Sequence, residues 1–226
     1  MATEYPSGFA APTGGGIVTA VGGIRKDVGA VIADTDGDYG PLQTDCVGSL
    51  RTTSAGGKLT YSMAFTGLVG ASSCTDLVRL SGSATKTVFV QEVRFSATAT
   101  AAKTLDVLLI KRSTANATGT STAGVAIPHS SDDAAGTAAG LLYTANAGTL
   151  GTATGNLRAT RYTIAVVDAA ATQGEVVWDL RGYNGGKGVR LEGVAEGICI
   201  NLSAASPGSG NSFAGSITYT EEPTTA

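Results

Sequence analysis

Apolar and polar residues alternate with a period of two along much of the chain, the pattern of strands that bury one face. The clearest stretch is residues 77–113, LVRLSGSATKTVFVQEVRFSATATAAKTLDVLLIKRS, which predicts three consecutive strands. The first, residues 77–80, is short and turns through Ser81, Gly82 and Ser83 into a second at residues 86–96. There Val88 and Val90 share one face, and Val93 and Phe95 resume the alternation after Gln91-Glu92. A slip of one residue is what a β-bulge does to a strand. A small polar turn at residues 98–102 leads to the third strand, where Leu105, Val107 and Leu109 line one face. Leu108 and Ile110 fall on the other face, which predicts burial on both sides or a subunit contact.

Similar runs recur downstream. Strands are expected at residues 58–66, 140–144, 158–167, 175–180, 189–191, 197–202 and 213–220, with a brief one at 125–128. The loops between them are rich in Gly, Asn and Ala. Residues 113–124 read as a polar surface loop, and residues 130–139 as one helical turn capped by Ser130 or Ser131. Trp178 shares an apolar face with Val176 and is expected in the core. Eight to ten short strands without a convincing helix predict an all-β fold, a jelly-roll-like two-sheet sandwich with an extended N-terminal arm. The arm with a short hairpin takes residues 1–57, the sandwich 58–222 and a tail 223–226. Pro6, Pro12 and Gly14-Gly15-Gly16 punctuate residues 1–33, too poor in apolar surface for a core of their own. Turn formers Gly37, Gly40-Pro41 and Gly48 then frame a hairpin of residues 41–44 and 49–53.

Composition narrows the function. Charged residues make up 15% of the 226, against about 25% in an ordinary soluble domain. A surface so short of charge associates readily, which suits a protein packed against neighbours. The net charge of −3 carries no basic stripe of a nucleic-acid binder. No apolar run approaches the length of a membrane helix, and the first residues do not read as a secretory signal. Synthesis in a cytosol is therefore expected, with Cys46, Cys74 and Cys199 reduced there. Cys199 reads as a buried small hydrophobe; Cys46 and Cys74 fall in polar, loop-like sequence and could meet each other or a neighbouring chain.

Candidate chemistry is sparse. His129 follows Pro128 in a loop, and no G-x-S-x-G nucleophile motif accompanies it. Tyr183-Asn-Gly-Gly-Lys-Gly188 has phosphate-loop glycines without the phosphate-loop spacing, and reads as a turn. Asp34, Asp36, Asp38 and Asp45 sit at calcium-loop positions, but Tyr39 replaces the required glycine and the flanking helices are missing. Asp132-Asp133 and Glu221-Glu222 are adjacent carboxylates in loop and tail rather than an opposed pair. Few aromatics are present to stack on a sugar. No enzyme, no cofactor and no metal site is expected.

The pattern DGDYGPLQTD…GSLR resembles a recurrent segment of tailed-bacteriophage virion proteins. The matching positions are Asp36, Gly37, Tyr39, Pro41, Leu42, Gln43, Asp45, Gly48, Leu50 and Arg51; Cys46-Val47 departs from the small or polar residues expected there. The opening MATEYPSG is similar to the start of such proteins, and LSGSATKTVFV, LLIKRSTANATGTS, EVVWDLR and GVAEGICINLS resemble their β-sandwich type. The resemblance implies a structural component of the virion, made in the host bacterial cytoplasm, acting as a capsid decoration, cement or minor capsid protein. It implies an assembly role for the ten matching residues. The implied partners are further copies of the chain, a trimer being favoured, and the major capsid protein or other virion proteins. Exposed Cys46 or Cys74 would then be able to cross-link after lysis. Placement at the neck, tail or fibre base, as an appendage or receptor-binding part, is the alternative; a free carbohydrate-binding sandwich is a third reading.

Overall fold

The alternation read from the sequence becomes two facing sheets in the computed structural model, which describes residues 24–25, 43–44, 59–166 and 174–223. The chain divides into two units, Met1–Gly57 and Lys58–Ala226. In the first, β1 (Ile24–Arg25) pairs in parallel with β2 (Gln43–Thr44), Ile24 opposite Gln43. The expected hairpin partner at residues 49–53 lies outside the described residues, as does the rest of the arm.

The second unit runs through β3 (Leu59–Leu68), β4 (Cys74–Ser81), β5 (Lys86–Ala99) and β6 (Lys103–Arg112). Three short strands follow, β7 (Ser121–Gly124), β8 (Ala126–Pro128) and β9 (Gly140–Tyr143). The chain continues with β10 (Ala153–Val166), β11 (Val176–Asp179), β12 (Val189–Leu191), β13 (Gly197–Ala205) and β14 (Ser212–Pro223).

The strand pairing is that of a jelly roll. In one sheet the last strand, β14, lies between β3 and β5, and β11 and β12 continue on the far side of β5. In the other, the penultimate strand, β13, lies between β4 and β6, and β10 continues beyond β6. Chain ends returning between earlier strands of both sheets is the double Greek key. The tip of β10 also pairs with β5, Ala165 opposite Thr98, so the two sheets join along that side. β11 and β12 are two halves of one strand. They pair with residues 92–95 and 88–90 of β5, and residues 180–188 leave the sheet between them.

Inward-facing side chains of both sheets fill the space between them, among them Leu80, Val93, Leu109, Ile164, Ile198 and Ile217, all fully buried. Aromatic rings concentrate at two places. Phe95 meets Trp178 at 5.2 Å and Tyr162 at 5.5 Å between ring centroids, and Tyr61 stacks on Tyr219 at 5.5 Å. Trp178 thus occupies the core position expected of it. The bulge read from Val88–Phe95 is present. Thr218 faces Glu92 and Tyr219 faces Val90, leaving Gln91 as the extra residue, and the Gln91 carbonyl accepts the Leu180 amide. Ile110 is buried on the outer face of β6, opposite Cys199 of β13.

Two expectations are corrected. Residues 130–139 form turns and extended chain with no helix, because their hydrogen-bond partners lie on other strands. Cys74 does not sit in an exposed loop. It opens β4 with 1% of its surface exposed, packs in the core and carries a free thiol.

Candidate functional site

Of the ten positions in the virion-like segment, Gln43 lies in the described strand β2. Asp36, Gly37, Tyr39, Pro41, Leu42, Asp45, Gly48, Leu50 and Arg51 lie outside the described residues, and so do Cys46, Asp34 and Asp38. The surface that the structure does define is built by the chain between β6 and β10, residues 113–152.

The root of this excursion is a buried polar knot. Leu77 is an extra residue in β4, since Ile200 faces Val78 while Asn201 faces Asp76. That bulge turns Asp76 onto the outer face of the sheet, beside Arg112 at the end of β6. Asp76 accepts from Arg112 Nε at 2.7 Å and Nη2 at 2.8 Å, from Asn201 at 2.7 Å and from Asn116 at 2.8 Å. Burial alone pushes the Asp76 carboxyl up; the hydrogen bonds from Arg112, Asn201 and Asn116 and the Arg112 charge more than offset it and hold the carboxyl below its ordinary range. Arg112 Nη1 also donates to the Gly151 carbonyl at 2.6 Å, and the Gly151 amide donates to Asn116 Oδ1 at 2.8 Å. The outgoing and returning ends of the excursion are thereby fastened to the same carboxylate.

From that root the excursion crosses the side of the sandwich left open between β3 and β4. β9 pairs with β4 and β7 pairs with β9, extending one sheet; β8 pairs with β3, extending the other. Gly124 and Gly140 face each other across β7 and β9, and both press on the buried Met63 of β3. A Cβ on Gly140 would lie 1.9 Å from Met63 Sδ, so the thioether would have to move to admit one. Residues 129–139 form a strap held by Glu221 of β14, whose side chain is fully buried. Glu221 accepts the amides of Thr137 at 2.6 Å and Ala138 at 2.8 Å, and pairs with Lys86 Nζ at 3.2 Å. Tyr61 Oη ties the same strap through the Ala134 carbonyl at 3.0 Å.

The outer rim of this construction is a strand edge without charge. Residues 113–131 contain no Asp, Glu, Lys or Arg. β8 ends the strand order of its sheet, so among the described residues its second edge is unpaired. Val125 is 65% exposed and Ile127 is 57% exposed on it. Natural edges are normally guarded by charges, prolines or covering loops; here Pro128 at the strand end supplies one guard.

Catalytic arrangements do not assemble around it. His129 is exposed, with Nε2 at 2.8 Å from Ser62 Oγ, which lies 3.1 Å from Thr218 Oγ1. Among the described residues no carboxylate hydrogen-bonds this histidine. Glu221 faces the strap, while its neighbour Glu222 pairs with Lys187 at 3.1 Å. Among the described residues no group of three or more His, Cys, Asp and Glu side chains comes together, and no helix is long and apolar enough to cross a membrane. The edge strand was not legible as a surface in the sequence, where Val125–Pro128 reads as one more short strand; the uncharged run around it was the available signal. No family model, curated protein or solved structure matches the chain.

Proposed function

We propose that the protein is a structural component of a tailed-phage particle, a capsid decoration or minor capsid protein that works by repeated contacts and not by catalysis. The observation that carries this reading is the rigidly rooted, uncharged edge at residues 121–128, with Val125 and Ile127 turned to solvent on a jelly-roll body. An edge of this kind is costly for a freely diffusing protein, because it templates strand addition. It is useful where a neighbour always covers it. The virion-like segment at residues 36–51 and the low overall charge support the same reading. Copies of the chain associate through this edge, a trimer being the favoured state, and the assembly sits on the major capsid protein or another virion protein. A stable contact needs about 1,000 Å² of buried surface in total, and repetition over a particle adds avidity to contacts that are individually modest.

Light scattering on the full-length chain after size exclusion tests the association. Wild-type chain is expected as an oligomer and Ile127→Lys as a monomer of the same thermal stability. A wild-type monomer at every concentration would remove the edge as an assembly contact.

A further inference from the structure

The outward side of β8 carries one titratable group. In a strand every second side chain shares a face, and Val125, Ile127 and His129 occupy alternate positions. All three are exposed. Val125 and Ile127 belong to the association edge proposed above, and the role drawn here for His129 rests on that contact. Two residues of extended strand span about 7 Å, so a neighbour seated on Ile127 reaches His129. His129 is the only histidine in the chain, and residues 113–131 contain no Asp, Glu, Lys or Arg. That segment therefore brings to the contact a single side chain of the type that changes charge between about pH 5 and about pH 8.

The backbone and two hydroxyls hold the histidine in place. Its amide donates to the Thr60 carbonyl at 2.9 Å, which carries the pairing of β8 with β3 one residue past Pro128. The ring Nε2 lies 2.8 Å from Ser62 Oγ, and Ser62 Oγ lies 3.1 Å from Thr218 Oγ1. A hydroxyl donates or accepts as the ring requires, so the fold accommodates the neutral and the protonated imidazole. A change of charge on His129 therefore falls on the contact and not on the sandwich beneath it. Charged groups on the elements around it are Asp132 and Asp133 on the strap, Glu221, buried against Lys86, and Glu222, paired with Lys187. Among the described residues none of them hydrogen-bonds the imidazole.

We infer that His129 gates self-association by pH: copies join while the imidazole is neutral and separate when it is protonated. An imidazolium in a covered contact loses its water. Where residues 113–131 of the neighbouring copy meet it, they offer no carboxylate in exchange. The proton has to leave before the contact forms, so each pH unit below the histidine's titration weakens association about tenfold per contact. Association is complete at neutral pH and reverses in acid.

Sedimentation equilibrium of the full-length chain at about pH 8 and about pH 5 tests the gate. The wild type is expected to associate at least about tenfold more weakly at the lower pH, with an unchanged circular dichroism spectrum. His129→Gln, which keeps a hydrogen-bonding partner for Ser62 but does not titrate, is expected to lose the pH dependence. His129→Lys, charged at both pH values, is expected as a monomer at both. Equal association of the wild type at the two pH values, or an acid loss that persists in His129→Gln, overturns the gate and leaves the edge contact standing. A wild-type monomer at about pH 8 at every concentration overturns the edge contact and the gate with it.

Discussion

Asp76 and Arg112 meet as a two-pronged ion pair, 2.7 and 2.8 Å, on a face that the excursion of residues 113–152 seals from water. A buried pair of this kind is expensive to break, because removing one partner strands the other charge. Asp76→Asn and Arg112→Met are each expected to destabilise the protein by about 3–5 kcal/mol, measured by denaturant unfolding. The pair also sets a pH dependence. A carboxyl held below its ordinary range contributes stability fully above about pH 4, where an unfolded aspartate is ionised. That contribution is lost as pH falls through the lowered folded value. The stability gap between wild type and Asp76→Asn should therefore narrow as the pH drops below about 4; a gap independent of pH would contradict the assignment.

Gly140 and Met63 make the second relationship that substitutions can test. Gly140→Ala places a methyl against a fully buried thioether, an overpacking expected to cost about 1–3 kcal/mol. Adding Met63→Ala should make the Gly140→Ala change nearly free, because the two sites share the same space. Additive losses in the double-mutant cycle would mean that β9 does not close on β3 as described.

Glu221 holds the strap at residues 129–139. Both strap amides, Thr137 and Ala138, donate to the same Glu221 oxygen, Oε1, so Glu221→Gln loses the ion pair with Lys86 and leaves them a neutral amide oxygen in place of a carboxylate one. Hydrogen bonds to a charged group are worth about 1.5–3 kcal/mol each. Hydrogen exchange at those two amides should quicken, and a protease should cut within the strap, while β13 and β6 keep their protection. Unchanged exchange at Thr137 and Ala138 would rule the clamp out.

Cys74 and Cys199 give a chemical check on burial. Burial pushes the Cys74 thiol up to about 11 and raises the Cys199 thiol further. Both sulfurs are therefore protonated and shielded at neutral pH, the least reactive state of a cysteine. Peptide mass spectrometry after maleimide treatment should find both unmodified in native protein and labelled after unfolding. Native labelling of Cys74 would restore it as a cross-linking thiol.

Strand content and the jelly-roll layout were legible because period-two alternation survives in β5, β6 and β14, and even the slip at Gln91 left its mark between Val90 and Val93. The strap at residues 130–139 was misread as a helical turn because SSDDAAGTAA has capping residues and alanines, while its actual partners, Glu221 and Tyr61, are remote in sequence. The same holds for Asp76. Its neighbours in SCTDLVRL suggest an exposed loop, and what buries it is a bulge at Leu77 together with Arg112 and Asn116, 36 and 40 residues away. The interruption of one strand into β11 and β12 was read as two strands with a turn; only the shared register on β5 reveals that they are halves of one strand. Low charge around residues 113–131 was visible throughout, but which of those residues face solvent depended on pairing that sequence does not display.

The proposed virion role implies a phage that encodes the chain, and the most direct test is the copy number of the chain in purified particles of such a phage, by quantitative mass spectrometry against the major capsid protein. The account predicts copies in the hundreds, as a repeated capsid contact requires. A dozen or fewer would contradict the decoration role and place the chain at the neck or tail, and absence from the particle would contradict the virion reading altogether.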